Sequence, residues 1–321
     1  MSQSPAITSS PHISVVSPVY GAEGMVQTLV DRLKAALDSL GASWEIVLVE
    51  DGSPDQSWAE MRQAAASTAG VKAIRLSRNF GQHQAITAGL DHCRGEWIVV
   101  MDCDLQDRPE EIPALYGKAS SSDQIDYVLA RRLQRTDNWF KKMLSRSFYW
   151  TLAKLSGTEQ DHTVANFGVY HRSVIDAVLS MRESVRYFPL QVRWAGFRAG
   201  SLDVQHGDRE AGETSYTFRR ALNLAIDVML SFSDKPLRLT IRGGLYISAI
   251  GLLLALWLMI RSFIAGTVTG QGWLSLMASL WLLSGIILVV MGMMGLYVGK
   301  IFDEVKNRPI YLVAEIVEQQ S

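Results

Sequence analysis

Two long stretches near the C-terminal end of this chain contain no charged residue, and they limit the folds open to it more than any other feature. Residues 243–260 and 270–299 hold no Asp, Glu, Lys or Arg. An α-helix rises about 1.5 Å per residue and needs roughly 20 apolar residues to cross the hydrocarbon core of a bilayer. The pattern therefore predicts two membrane spans, near 243–262 and 274–297. A hairpin of buried core helices is the alternative.

Basic residues flank both predicted spans and set the expected orientation. Segments on the cytoplasmic side of a membrane carry an excess of Lys and Arg. The connection between the spans, about 262–273, holds no charge beyond Arg261 at its margin. The outer flanks are basic, with Arg238 and Arg242 before the first span and Lys300, Lys306 and Arg308 after the second. We therefore expect both ends of the chain in the cytoplasm.

The start of the chain, its cysteines and its charge are consistent with that compartment. The chain begins Met-Ser-Gln-Ser-Pro, without the basic start and apolar core of a secretory signal peptide. Cys93 and Cys103 are too few for a disulfide framework, so both are predicted to be free thiols. A net charge of −1 argues against a nucleic-acid-binding protein, which would normally be basic.

The first half of the chain alternates between strand and helix patterns. Such an alternation is typical of an α/β fold with a mostly parallel sheet, in which ligands bind beyond the carboxyl ends of the strands. Helical spacing of apolar residues begins at Val26 and continues to Leu40. Further helices are predicted at 57–69 and 82–93, and strands at 13–18, 44–49, 71–76, 97–101 and 126–130.

Two carboxylates follow the strand predicted at 97–101. Asp102 and Asp104 flank Cys103, so in extended backbone both side chains share one face, where the sheet is expected to open. Paired carboxylates at a buried strand end are best tolerated when a cation neutralises them. Mg²⁺ and Mn²⁺ prefer oxygen ligands, and substrate phosphates can complete their coordination shell. A solvated turn is the alternative, because Asp is also favoured in turns.

Polar motifs also follow the first two predicted strands. Tyr20 comes after the first strand, and Glu50 and Asp51 end the second. Because parallel strands end at one edge of a sheet, these loops are expected to meet Asp102 in one crevice. A carboxylate there can accept a hydrogen bond from the imide N–H of a pyrimidine. A dinucleotide-binding fold would need G-x-G-x-x-G after the first strand, and Gly21-Ala22-Glu23-Gly24 lacks that spacing.

Taken in order, these motifs resemble those of family 2 glycosyltransferases. The similarity is to the membrane-anchored polyprenyl-phosphate branch, which includes dolichol-phosphate mannose synthases and bacterial undecaprenyl-phosphate sugar transferases. It covers nearly the whole chain. Its elements are Ser17-Pro18-Val19-Tyr20, Val49-Glu50-Asp51-Gly52-Ser53-Pro54-Asp55, Arg78-Asn79-Phe80-Gly81-Gln82-His83, Asp102-Cys103-Asp104-Leu105-Gln106 with Pro109, and Arg209-Glu210-Ala211-Gly212-Glu213-Thr214-Ser215-Tyr216.

The resemblance implies a GT-A fold, a nucleotide-sugar donor, a divalent metal (Mg²⁺ or Mn²⁺), inversion at the anomeric carbon and a lipid phosphate acceptor. UDP is favoured over GDP as the carrier, and the bacterial inner membrane is the implied location. Matched residue by residue, the metal and diphosphate positions are Asp102, Asp104 and Gln106. The base and ribose positions are Pro18, Tyr20, Glu50 and Asp51. The basic positions near phosphates are Arg132, Arg135 and Arg209, and hydroxyls for the acceptor phosphate are Thr214 and Tyr216.

One departure from the family pattern concerns catalysis. Asn166 stands where many relatives have an acidic residue, and Asn cannot take up a proton. A phosphate monoester has a second pKa near 6, so a polyprenyl phosphate is largely a dianion at neutral pH and can attack without a base. We expect Asn166 to orient substrate by hydrogen bonding. Asp161 acting as a base is the alternative.

The regions around the spans complete the expected organisation. Residues 1–235 would form the catalytic domain, with a membrane-interface helix at about 219–233; 236–300 would form the anchor and 301–321 a cytoplasmic tail. Residues 310–317 are predicted to add a strand to the domain. Glycines on one face of the second span favour either association between subunits or packing against the first span: Gly285, Gly292, Gly295 and Gly299.

The sequence thus predicts an enzyme that moves a sugar from a nucleotide to a polyprenyl phosphate. Two alternatives stay open. The acceptor could be another lipid, such as a diacylglycerol, or the protein could be a membrane scaffold that binds nucleotide sugars without catalysis.

Overall fold

The computed structural model describes residues 11–121, 124–132, 164–181, 183, 186–205, 235–265 and 272–319, and the elements below are numbered within them. These residues form two compact units. One contains the described residues up to 205 together with 308–319, and the other contains 235–265 and 272–307.

The first unit is built on a mixed sheet. Among the described residues eight strands pair in the order β7-β5-β6-β4-β1-β2-β3-β8. Neighbours β4, β1, β2 and β3 are parallel, β5 and β7 are parallel, and β6 and β8 run antiparallel to their neighbours. The strands are β1 Ile13–Val19, β2 Trp44–Glu50, β3 Val71–Leu76, β4 Trp97–Val100, β5 Tyr127–Arg132, β6 Val164–His171, β7 Ala199–Val204 and β8 Val313–Glu318.

Helices cover both faces of this sheet, which explains why its central strands are apolar on both sides. On β1, Val15 belongs to one buried cluster and Val16 to another, as expected when successive side chains point to opposite faces. Leu29 and Leu33 of α1 pack into the first cluster, and Ile86 of α3 packs into the second. The helices are α1 Val26–Asp38, α2 Ser57–Ser67, α3 Gln82–His92, α4 Ile112–Ser120, α5 Arg172–Ser180 and α6 Phe188–Trp194.

The structure confirms the predicted α/β class with its mostly parallel sheet and the succession of strands and helices up to β5. It also confirms a C-terminal strand: β8 pairs antiparallel with β3 and completes the sheet at that edge. The sequence did not predict α4, which lies between β4 and β5, nor β6, β7, α5 and α6. The proposed interface helix at 219–233 lies outside the described residues.

The second unit consists of two long helices, α7 Lys235–Ala265 and α8 Trp273–Val305. Both are long and apolar enough to cross a membrane, and the candidate spans among the described residues are Leu237–Leu254 and Ser279–Val305. The helices contain the spans predicted at 243–262 and 274–297. A β-carbon at each of the four glycines of α8 would meet no atom of another segment within 4 Å, so these positions do not pack closely against α7 in the described chain.

Candidate functional site

The carboxyl ends of the parallel strands β1, β2, β3 and β4 bring four loops to one edge of the sheet. Pro18 lies in β1 opposite Val49, and the next pair in register is Val19 with Glu50. The backbone N–H of Asp51 donates to the carbonyl oxygen of Val19 over 3.0 Å. The predicted base and ribose residues of the first two loops are therefore neighbours.

Asp51 joins the loop after β2 to the loop after β3. Its carboxylate accepts hydrogen bonds from the backbone N–H groups of Phe80, at 2.7 Å, and Gly81, at 2.9 Å. Burial raises the pKa of Asp51 and the neighbouring charge of Glu50 adds to the rise, whereas these two hydrogen bonds and the guanidinium of Arg78 lower it. The carboxylate thus sits in a partly desolvated position with its charge directed at backbone donors.

Gly52 allows the same two loops to touch. It adopts a φ of +70°, and a β-carbon there would lie 2.4 Å from the backbone nitrogen of Asn79. The side chain of Asn79 donates to the carbonyl oxygen of Asp51 over 2.9 Å. Only glycine fits this contact, because any β-carbon would push the two backbones apart.

Asp102, at the end of β4, is tied to α3 by a side-chain hydrogen bond. Nε2 of Gln82 donates to Oδ1 of Asp102 over 2.6 Å. Burial raises the pKa of Asp102 to about 7, and the charges of Asp107 and Asp104 contribute to the rise. Hydrogen bonds from Gln82 and from the side chain of Asn166 lower it. Asn166, on β6, therefore meets the predicted metal ligands.

The turn after Asp102 fixes the positions of Asp104 and Gln106. The backbone N–H of Gln106 donates to Oδ1 of Asp104 over 3.2 Å. Between them Leu105 is buried and adopts a φ of +59°, which is rare for a residue with a β-carbon. Such a conformation costs about 1–2 kcal/mol, so the buried Leu105 side chain must hold the turn in place.

The donor atoms of this turn are of the kind that a divalent cation prefers, but they form an incomplete set. In the described part of the chain no group of three His, Cys, Asp or Glu side chains is arranged to hold a metal. Two carboxylates and one amide oxygen, from Asp102, Asp104 and Gln106, would supply part of a coordination shell that substrate phosphates complete. The raised pKa of Asp102 reflects carboxylates crowded in a desolvated place, and a cation would relieve that repulsion.

Two residues of the site were not predicted from the sequence. Gln82 was part of a recognised motif but had no assigned role. Asp107 is 4% exposed, and its charge acts on Asp102 more strongly than that of Asp104 does. The signal that could have revealed Asp107 was its place in the same turn, five residues after Asp102.

The loop after β1 is held by the segment that leads into α2. Backbone N–H groups of Gly21 and Glu23 donate to side chains of Ser53 and Asp55, both over 3.2 Å. Tyr20 precedes these contacts and is 55% exposed, so its ring is available at the edge of the crevice. The side chain of Glu23 also takes part in these loop contacts, because its Oε2 accepts a hydrogen bond from the backbone N–H of Gln56 over 3.2 Å.

Of the basic and hydroxyl residues that were predicted to bind phosphates, only Arg132 lies within the described residues. Arg132 is the last residue of β5 and pairs in register with Val204 of β7. The remaining predicted residues lie outside the described part of the chain: Arg135, Asp161, Arg209, Thr214 and Tyr216.

Comparisons with known proteins found similar sequences along nearly the whole chain. Residues 14–179 match the family model described as glycosyl transferase family 2. An uncharacterized glycosyltransferase, YkcC, of Bacillus subtilis (strain 168) is 36% identical over 94% of this chain and 92% of its own length. Undecaprenyl-phosphate 4-deoxy-4-formamido-L-arabinose transferases are similar too. That of Enterobacter sp. (strain 638) is 36% identical, covering 96% and 94%, and that of Proteus mirabilis (strain HI4320) is 35% identical, covering 95% and 94%.

A crystal structure of glucosyl-3-phosphoglycerate synthase from Mycobacterium tuberculosis, in complex with Mn²⁺, UDP-glucose and phosphoglyceric acid, matches 69% of this chain and 78% of that one. The sequence identity is 16% and the TM-score 0.49.

Proposed function

The chain belongs to glycosyl transferase family 2, and we propose that it transfers a sugar from a UDP-linked donor to a polyprenyl phosphate such as undecaprenyl phosphate. The transfer would invert the configuration at the anomeric carbon and take place at the cytoplasmic face of the bacterial inner membrane. Relatives whose names specify undecaprenyl-phosphate transfer match nearly the whole chain, including both apolar helices, and this supports a lipid phosphate acceptor.

One structural observation carries the proposal. Asp51, which is assigned to the nucleoside, accepts hydrogen bonds from the backbone of Phe80 and Gly81. The next residue, Gln82, donates a hydrogen bond to Asp102, which is assigned to the metal and diphosphate. Three consecutive residues thus connect the two halves of a donor site. A nucleoside diphosphate needs this pairing of a polar base pocket with a nearby anion and metal site.

Asp102, Asp104 and Gln106 would hold Mg²⁺ or Mn²⁺. When bound, such an ion supplies Lewis-acid stabilisation of the departing diphosphate. The hydrogen bonds of Gln82 and Asn166 to Asp102 keep that carboxylate oriented, and the bond from Gln106 N–H does the same for Asp104. Arg132 and Arg135 are proposed to bind donor phosphates, because guanidinium groups match phosphate oxygens in a fork.

The acceptor would be bound by Arg209, Thr214 and Tyr216. As a phosphate monoester it is already largely a dianion at neutral pH, so its oxygen can attack the anomeric carbon without transferring a proton to the protein. Asn166 would then orient the reacting groups by hydrogen bonding. Asp161 remains the alternative as a base.

The membrane helices fit this role because a polyprenyl phosphate presents its headgroup only at the bilayer surface. We propose that α7 and α8 span the membrane, that both chain ends face the cytoplasm, and that the open glycine face of α8 supports association between subunits.

The decisive experiment incubates the detergent-solubilised protein with a panel of radiolabelled UDP- and GDP-sugars, undecaprenyl phosphate and Mn²⁺, with and without EDTA. The expected result is a lipid-extractable labelled product from a UDP-sugar that disappears with EDTA and with Asp104→Ala, but persists with Asp31→Ala on the exposed side of α1. Nuclear magnetic resonance of the product reads the anomeric configuration.

Other outcomes identify the alternatives. A parallel incubation contains diacylglycerol in place of undecaprenyl phosphate. Product formed only in that incubation would identify diacylglycerol, and not a polyprenyl phosphate, as the acceptor. Binding of UDP-sugars without turnover on any lipid would indicate a scaffold, and absence of both binding and product would overturn the proposal.

A further inference from the structure

Glu50 is a buried carboxylate whose two oxygens have different surroundings. The residue is 1% exposed. Oε1 accepts a hydrogen bond from the backbone N–H of Ser53 and so closes the turn after β2. Oε2 is buried and has no hydrogen-bond partner within the described ranges, and Nε of Arg75 lies 3.5 Å from it. The carboxylate is therefore shared between the turn and an arginine on the neighbouring strand.

Arg75 is fixed by three elements. It lies opposite Glu50 in the β2–β3 register and opposite Glu315 in the β3–β8 register. The register of the outer pair shifts immediately after Arg75, and such irregularities bend a strand and redirect a side chain. The guanidinium also lies 5.7 Å from the centre of the Trp58 ring, within cation–π distance. Although the arginine side chain is 47% exposed, its guanidinium thus lies near both the Glu50 carboxylate and the Trp58 ring.

Removing the arginine would leave the buried acid with its hydrogen bond from Ser53 but, among the described residues, without an ion pair. An unpaired buried carboxylate is strongly unfavourable, so it either takes up a proton or turns toward water. Turning toward water breaks the bond to Ser53, and protonation weakens it because a charged acceptor makes the stronger hydrogen bond. The turn that Glu50 closes also carries Asp51, whose carboxylate holds Phe80 and Gly81.

We propose that Arg75 is a positioning residue of the donor site, which neutralises Glu50 from β3 and thereby keeps Asp51 in place to bind the nucleotide. The inference rests on the proposed function for the identity of the ligand. Because β8, the strand beside Arg75, follows the second apolar helix in the chain, the segment after the membrane anchor contributes to the wall behind the donor site.

Lys72 provides a matched control on the same strand. It is 7% exposed, and its Nζ lies 3.9 Å from Oε2 of Glu45, a second buried glutamate of β2, and 3.4 Å from Oε2 of Glu318 in β8. Lys72 and Arg75 thus each lie beside a buried glutamate of β2, although Glu45 also contacts Ser14 and Arg94. Lys72 is near the amino end of β3 and away from the crevice. Loss of either cation should lower stability, and only loss of Arg75 should weaken nucleotide binding.

The test compares Arg75→Met, Arg75→Lys, Lys72→Met, Glu50→Gln and the double variant Glu50→Gln/Arg75→Met in the full-length protein in detergent. We would measure the dissociation constant of UDP in Mn²⁺ by calorimetry, kcat and KM for the donor, the melting temperature, and amide hydrogen exchange of the peptide covering 48–56. Arg75→Met is expected to raise the UDP dissociation constant and donor KM about tenfold with kcat changed less than about twofold.

Arg75→Lys should recover part of the affinity, Lys72→Met should melt earlier with unchanged UDP affinity, and the double variant should bind no more weakly than Glu50→Gln. Equal losses of affinity in Arg75→Met and Lys72→Met, or unchanged affinity in a folded Arg75→Met, would overturn the inference. If wild-type protein binds no UDP, the proposed nucleotide is wrong, and hydrogen exchange then decides. Faster exchange of 48–56 in Arg75→Met than in Lys72→Met supports the role of Arg75, and equal exchange refutes it.

Discussion

Nε2 of Gln82 donates a hydrogen bond of 2.6 Å to Oδ1 of Asp102, and this bond joins the first turn of α3 to the end of β4. Residues that hydrogen-bond a metal-binding carboxylate fix its orientation and commonly contribute 10- to 100-fold to metal affinity. Gln82 occupies that position relative to a proposed ligand.

Gln82→Leu is accordingly expected to raise the Mn²⁺ concentration needed for half-maximal activity by about tenfold or more. Gln27→Leu is the matched control, because Nε2 of Gln27 makes a similar bond to Asp31 on the exposed face of α1, and it should leave this concentration unchanged. Activity measured over a Mn²⁺ titration separates the two. An identical titration curve for Gln82→Leu and wild type would show that the bond does not serve a metal ligand.

Gly52→Ala tests the contact between the loops after β2 and β3. The new β-carbon would collide with the backbone of Asn79, so the loops must separate, and nucleotide affinity should fall at least about tenfold. Gly41 also has a positive φ, of +63°, but open space around its missing β-carbon. Gly41→Ala should therefore cost only about 1–2 kcal/mol of conformational strain and leave UDP binding intact. Calorimetric titration of both variants distinguishes collision from strain, and equal affinities would contradict the proposed contact.

Substitutions of Asn166 and Asp161 distinguish a mechanism that uses a protein base from one that does not. If the acceptor dianion attacks directly, Asn166→Asp should not raise kcat, and Asn166→Ala should lower it about five- to tenfold by removing one hydrogen bond to Asp102. Asp161→Asn should then keep nearly full activity. A more active Asn166→Asp enzyme, or an inactive Asp161→Asn that still binds UDP, would instead identify a base. Steady-state rates at saturating lipid acceptor are the measurement.

The buried His83 is expected to make the folded protein less stable at acidic pH. Burial lowers the pKa of His83 to about 4 from 6.5, and its Nδ1 has no hydrogen-bond partner in the part of the chain that the structure describes. Between these pH values the unfolded chain binds more protons than the folded one, so stability is lost as pH falls from 6.5 toward 4. At pH 5 the protonation of His83 in the unfolded chain is expected to lower the free energy of unfolding by on the order of 2 kcal/mol.

The melting temperature of wild type should therefore drop more between pH 7.5 and pH 5 than that of His83→Gln, which cannot titrate. Parallel curves for the two proteins would show that His83 titrates near its ordinary value when folded.

The sequence was most informative where a segment is buried on both faces. β1, β2 and β4 are nearly continuous apolar runs, as parallel central strands require, and their ends identified the crevice directly. β6 was missed because Asn166 and Gly168 interrupt its apolar pattern. The glycine is required by tertiary packing, since a β-carbon there would lie 2.9 Å from the carbonyl oxygen of Val128 on β5.

The site was predictable to the same extent. Asp51 and Asp102 could be assigned to one crevice because each follows a parallel strand. The hydrogen bonds that connect them depend on the residue at which α3 begins, and no local pattern specifies that Gln82 reaches Asp102. The coupling of Glu50 to Arg75 depends on the register between β2 and β3, which is a property of the assembled sheet.

The position of β8 has a consequence for the order in which the protein can be made. β8 leaves the ribosome after both apolar helices, yet it pairs with β3, which was synthesised more than 200 residues earlier. Until then the outer edge of β3 exposes unpaired backbone groups, a surface prone to pairing with other chains. A soluble fragment that stops before α7 would keep that edge open permanently, and fusing residues 308–319 back through a flexible linker is the direct way to close it.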